Sequence, residues 1–209
     1  MYAITADQVD SRHGADLADD ALALIADVGG PRLALPADRT AGDEVQALTA
    51  DAATALAVAL ALLRTGSWRV GLGIGHVESP LPDATRAARG PAFIAARDAI
   101  EAAKRRPTRF AALGDDGAVQ PLVDLLLALR DRRTPEGWEL FDLVETGLTQ
   151  QEAAKRLGIT PQAASRRALA AGIRLDQAAR PALVVVLRTA EVRATRAPGS
   201  TDVAGDRED

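Results

Sequence analysis

Along the first half of the chain the apolar positions switch repeatedly between strand-like runs and helical spacing. Tyr2 to Ala6 reads as a short strand, and Asp16 to Val28 carries Leu17, Ala21, Leu24, Ile25 and Val28 at the spacing of one helix face. Gly29-Gly30-Pro31 stops that helix. Arg32 to Ala37 and Val45 to Ala50 are strand-like runs around the polar stretch Asp38 to Glu44, which predicts a hairpin. Asp51 to Arg64 is a helix apolar enough to need a sheet beneath it. Trp68 to Val77 reads as a central strand, Pro91 to Lys104 as a third helix and Arg109 to Leu113 as a short last strand. This order predicts an α+β fold with a βαββαβ core, ferredoxin-like or palm-like, whose sheet is antiparallel and whose helices share one face.

After Gly114 to Gly117 the pattern becomes helical only: Val119 to Arg132, Pro135 to Glu145, a helical pair within Leu148 to Gly172, and a last run from Gln177 to Arg193. Val184-Val185-Val186 is β-branched, so Ala182 to Leu187 has a strand or wing as its alternative. Thr195 to Asp209 is small, polar and acidic, the composition of a disordered tail. The change of pattern divides the chain into an α+β domain over 1–114 and an all-α domain over 118–193.

Composition narrows the function classes. The 209 residues are 47% hydrophobic but only 3% aromatic, with a formal net charge of −4, which argues against general coating of nucleic acid. Between Leu148 and Leu175, however, Lys155, Arg156, Arg166, Arg167 and Arg174 face Glu152 alone, a local basic patch suited to site-directed DNA contact. The lack of cysteine excludes disulfides, thiolate metal sites and cysteine nucleophiles. The longest apolar run, Ala52 to Leu63, is short of a bilayer span, and no basic stretch with an apolar signal core follows Met1. The expected location is cytoplasmic, with no membrane partner. His13 and His76 lack ligand spacing. Gly71, Gly73 and Gly75 alternate within a strand, which suits close approach of a helix and not a dinucleotide loop.

The densest signal is Leu148 to Gly172, LTQQEAAKRLGITPQAASRRALAAG. Thr149 can cap a helix over Gln150 to Leu157, Gly158 supplies a tight turn, Thr160 can cap a second helix with Pro161 at its first position, and Gly172 closes it. Ala153, Ala154, Leu157, Ile159, Ala164 and Leu169 are expected to pack the two helices together. That leaves Thr160, Gln162, Ser165, Arg166 and Arg167 as candidate DNA contacts, residue types that bond to base edges and phosphates in a major groove. The segment resembles the helix-turn-helix of many bacterial regulators and sigma-type domains, whose core reads much like QEEAAKRLGVSQQAVSKRLRAAG. A helical hairpin used for packing or dimerisation is the alternative.

Three stretches of the first half resemble the palm of class III nucleotide cyclases and GGDEF cyclases. TADQVDS resembles the first-strand motif F-x-D-I-x-G-S, RTAGDEVQAL the hairpin motif K-T-I-G-D, and GPAFIAAR the helix motif G-x-x-V-N-x-A-x-R. WRVGLGIGHVE is similar to the R-I-G-I-H-x-G-x-V strand. The resemblance implies metal carboxylates at Asp7 and Asp43, with Mg²⁺ as the ion, and nucleotide contacts at Arg39 and Arg97. It also departs: Phe93 stands where a ribose-orienting Asn would, the helix motif is one residue short, and Arg39 replaces Lys, which removes much of the positioning a turnover site needs. By their residue types alone, Asp7 could equally end a strand and cap a turn, and Asp43 and Glu44 could be ordinary hairpin residues.

The whole pattern, a D-x-x-x-S-R start, the G-I-G strand, G-P-A-F-x-A-A-R and a C-terminal helix-turn-helix, more closely resembles the SatD family of bacterial proteins. That resemblance implies a palm-like module joined to a DNA reader, and no established activity. The leading expectation is a transcription regulator that binds double-stranded DNA as a homodimer, since each chain has one recognition helix and spare apolar surface on Val119 to Leu129 and Pro181 to Leu187. Its first domain would sense a nucleotide or small phosphorylated ligand. The rivals are a Mg²⁺-dependent nucleotide-binding or nucleotide-cyclising enzyme using Asp7 and Asp43, and a scaffold in which both modules have lost ancestral roles.

Overall fold

The computed structural model describes residues 1–11, 14–40 and 42–196; His13 and the acidic tail from 197 onward lie outside the described residues. The chain forms a mixed α+β fold, with a five-stranded sheet and eight α-helices among the described residues. The first half runs β1 (Tyr2–Gln8), α1 (Ala18–Gly29), β2 (Leu33–Arg39), β3 (Glu44–Thr49), α2 (Ala52–Arg64), β4 (Trp68–Ile74), α3 (Pro91–Ala103) and β5 (Phe110–Leu113). The second half is α4 (Val119–Asp131), α5 (Pro135–Glu145), α6 (Gln150–Arg156), α7 (Pro161–Ala170) and α8 (Ile173–Thr195).

The sheet order is β2-β3-β1-β4-β5, with β1 antiparallel to both β3 and β4. It is not wholly antiparallel as expected: β4 and β5 pair in parallel, because a full helix, α3, carries the chain back to the starting edge between them. Nor do the helices share one face. Strand alternation sends Tyr2, Ile4, Val45, Val70, Leu72 and Ile74 to one side, where they form a single core with α1, α2, α4 and α8. Ala3, Leu48, Gly71 and Gly73 face the other side, under α3.

The strand glycines explain how α3 lies so close. A Cβ on Gly73 would stand 1.9 Å from the Ala92 carbonyl oxygen, and one on Gly71 2.5 Å from the Ile100 nitrogen. Backbone approaches backbone, so no side-chain adjustment could make room.

The helical half divides between two cores. Val119, Val123 and Leu126 of α4, with Leu183, Leu187 and Ala190 of α8, belong to the sheet's own core, so sequence past residue 118 completes the first half. A smaller core joins Leu140 and Phe141 of α5 to Ala153, Ala168, Ala171 and Ile173. Helix α8 runs unbroken between the two, starting at Ile173 directly after Gly172, four residues before the expected run. The strand or wing considered for Ala182 to Leu187 does not form. The helical cost of three valines is a few tenths of a kcal/mol each, whereas helix spacing buries Leu183 and Leu187 on one face.

Where the helices converge, the Asp176 carboxylate is fully buried. It takes a bidentate pair from Arg130 at 2.7 and 2.9 Å and a bond from Arg133 at 3.0 Å. Arg133 donates its Nε to the Ala171 carbonyl, and its guanidinium lies 4.4 Å from the ring centres of Trp138 and Phe141. The corner is therefore tied by charge as well as by apolar contact.

Candidate functional sites

Helices α6 and α7 form as the capping residues direct. Thr149 accepts from the Glu152 N–H while the Glu152 side chain accepts from the Thr149 N–H, a reciprocal capping box. Gly158 takes a φ of 66° in the turn, and Thr160 accepts from the Ala163 N–H. Ala153, Ala154 and Ala164 are buried and Leu157 and Ile159 half-buried, as expected of the contact between the two helices.

Leu169 is the exception: expected in that contact, it is 84% exposed. Its helical neighbours at three- and four-residue spacing, Ser165, Arg166 and then Gln162, make the outer face of α7, while Ala164 and Ala168 turn inward. Arg167 is not on that face. It lies partly covered and its Nη1 donates to the Glu136 carbonyl and to Glu139, both at 3.5 Å, so it ties α7 back to α5. The outward candidates are Thr160, Gln162, Ser165 and Arg166, with Lys155, Arg156 and Arg174 also exposed nearby in the chain.

The second candidate lies on the α3 face, at the end of the sheet that α3 leaves uncovered. Strand β1 extends past its expected end at Ala6 and takes Asp7 into the sheet, where register places Asp7 opposite Glu44 on β3 and opposite Arg69 on β4. Arg69 donates to the Asp7 carboxylate at 3.2 Å. Glu44 accepts from the Thr40 hydroxyl at 2.8 Å and from Gln46 at 3.3 Å. Lys104, at the end of α3, is raised in pKa chiefly by its hydrogen bond to Glu101, with the Asp7 charge adding to it.

Of the four residues assigned to a nucleotide site, Asp7 and Asp43 lie on neighbouring segments, while Arg39 and Arg97 are bonded to neither. The Asp43 carbonyl accepts from the Gln8 N–H at 3.4 Å, in the turn just before β3. Glu44, which the sequence offers only as a hairpin residue, is the carboxylate that register sets across from Asp7. Arg39 pairs with Asp16 at 2.8 Å and donates to the Gly42 carbonyl at 2.7 Å. Arg97 is exposed on α3. Phe93 is buried among Ala3, Leu48 and Val77 as a packing residue over the sheet.

Asp7 is engaged by Arg69, the partner that a Mg²⁺ ion at this carboxylate would have to share or displace. Among the described residues, no group of three or more His, Cys, Asp or Glu side chains gathers. Comparison with known protein families, with curated protein sequences and with solved structures finds no match to this chain. Among the described residues, no helix is long and apolar enough to cross a membrane.

Proposed function

We propose that the protein is a DNA-binding regulator that reads a duplex through α7 and works as a homodimer. The observation that carries this reading is the outer face of α7: Gln162, Ser165 and Arg166 project from a helix that is capped at its start, closed by Gly172, and backed by α5 and α6. Such a helix presents amide, hydroxyl and guanidinium groups on a rigid support, which is what base-edge recognition requires. The pairing of α6 and α7 through small alanines supports the helix-turn-helix reading. In the first half, the β2-β3-β1-β4 order with α1 and α2 on one face supports a ferredoxin-like, palm-like unit, to which α3 and β5 add a parallel edge. The likeness to the SatD family enters on the same grounds.

A dimer would bring two such helices to successive major grooves, about 34 Å apart. Leu122 and Leu125 on α4 and Leu175 on α8 offer apolar surface for it, being 40%, 68% and 66% exposed. The nucleotide-enzyme reading has less behind it, because Asp7 is engaged by Arg69 and strand register sets Glu44, not Asp43, across from it.

The test is selection of duplexes from a random pool by the full chain, followed by anisotropy titrations at several salt concentrations. Arg166→Ala and Gln162→Ala should each weaken the selected duplex by about 1–3 kcal/mol, with relaxed sequence preference. Arg167→Ala should act less on sequence preference than on stability, since its partners are on α5. Failure to enrich any duplex, or affinity indifferent to Arg166 and Gln162, would remove α7 from the reader role.

A further inference from the structure

Helix α2 leaves Ala53, Ala57 and Ala61 in a line on its outer side, and α8 passes this line with Pro181, Val184 and Val185. Between them opens a cleft of about 1240 Å³. Its two ends differ in chemistry. At the C-terminal end of α2, Arg64 lies over the Trp138 ring at 4.1 Å and is held by Asp142 in a bidentate pair of 2.6 and 2.7 Å; Arg180 is likewise held by Glu145 at 2.7 Å. The arginines of that end are each paired with a carboxylate, and Trp138 and Phe141 supply an apolar wall.

The end at the start of α2 has cations to spare. Arg32 donates to the Thr54 hydroxyl and the Val28 carbonyl and has no carboxylate partner among the described residues. Arg188 is 64% exposed and stands 3.9 Å from Asp51, whose carboxylate already accepts from both the N–H and the hydroxyl of Thr54. At this end Arg188 therefore meets only a carboxylate committed to capping a helix, and Arg32 lines the same cleft with none. From there the alanine floor rises about 12 Å from Ala53 to Ala61 toward the aromatic wall. Spare positive charge at one end of a trough with an apolar floor is the complement of an amphipathic anion.

We propose that this cleft binds a small amphipathic monoanion of the aliphatic carboxylate class. Its head sits on Arg32 and Arg188, and its chain lies over Ala53, Ala57 and Ala61 with its end toward Trp138. The cleft is separate from both the α7 face and the Asp7 strand end, so the proposal stands whether or not the chain binds DNA.

The test uses the full chain and ω-bromoundecanoate, held below its micellar range, because bromine quenches indole fluorescence on contact. Trp68 is only 2% exposed and does not line the cleft, so Trp138 is the reporter. Saturable quenching is expected. Ala57→Phe, at an exposed position that tolerates the larger side chain, should weaken it about tenfold or more by filling the floor. The double variant Arg32→Gln/Arg188→Gln should weaken the carboxylate about tenfold while leaving ω-bromoundecanol unchanged. Absence of saturable quenching, or equal quenching in the wild type and both variants, overturns the proposal. So does sedimentation of the wild type as a dimer that Ala57→Phe splits, because a second copy would then cover the cleft.

Discussion

The two faces of the sheet are covered by opposite means. On one, Tyr2, Ile4, Leu72 and Ile74 hold four helices drawn from both halves of the chain. On the other, glycine and alanine let a single helix, α3, rest with its backbone on the strands. Large side chains build a thick layer that neighbours can partly refill when an atom is lost, and that leaves room for a cleft along α2. Small ones build contact with no slack. The same strands thus carry a tolerant face and an intolerant one, decided by which alternate residues have a Cβ.

The sharpest way to break the intolerant face is Gly73→Val. The new side chain would meet the Ala92 carbonyl and the Ala96 backbone, so either α3 lifts or the strand bends. We expect a loss on the order of 5 kcal/mol or failure to fold, read by chemical denaturation. A loss under about 1 kcal/mol would mean that α3 is not seated as described.

Next in size is Asp176→Ala, at the corner that binds the helices of the tolerant face to one another. It strands Arg130 and Arg133 without their shared counter-charge, and about 4 kcal/mol should be lost. Acid titration gives an independent reading. Burial pushes the Asp176 carboxyl up, but hydrogen bonds and charge from Arg130, then Arg133, outweigh it and hold the group below the usual carboxylate range. A depressed folded value stabilises fully above the unfolded value of about 3.9, and that stability is lost as the pH falls from there through the folded value. The wild type should therefore weaken below about pH 4 more steeply than Asp176→Asn. Equal acid slopes would deny the pairing.

Leu187→Ala tests whether α8 truly belongs to the sheet core. The side chain is fully buried among residues of the first half, so about 3 kcal/mol is expected, less than for Gly73→Val because neighbours can close in. An effect confined to α5–α7, with the sheet's hydrogen-exchange protection unchanged, would restore two independent domains. The smallest effect should come from Thr149→Ala, which touches neither face. Losing the capping box should cost about 1 kcal/mol, seen as fraying of α6 in amide exchange.

Local chemistry was legible in the sequence. Thr149, Thr160 and Gly172 mark helix ends by the hydrogen bonds and backbone angles that only such residues supply cheaply, and all three act as expected. The alternation in Trp68 to Ile74 announced both the strand and the close helix above its glycines. What the sequence could not hold was any relation between residues far apart in the chain. That Glu44, not Asp43, stands across from Asp7 follows from strand register, which pairs residues dozens of positions apart. Arg167 turns inward because Glu136 and Glu139 happen to lie beneath it, and Leu169 turns outward because the contact with α6 ends a turn earlier. Between the helical run and the alternative strand over Ala182 to Leu187, the helix wins because the sheet's apolar face, assembled by the first half, offers Leu183 and Leu187 a place to bury. Caps, turns and periodicity are determined by neighbours within a few residues; which face an element covers, and which charges meet, is decided only when the packed tertiary structure brings the distant partners together.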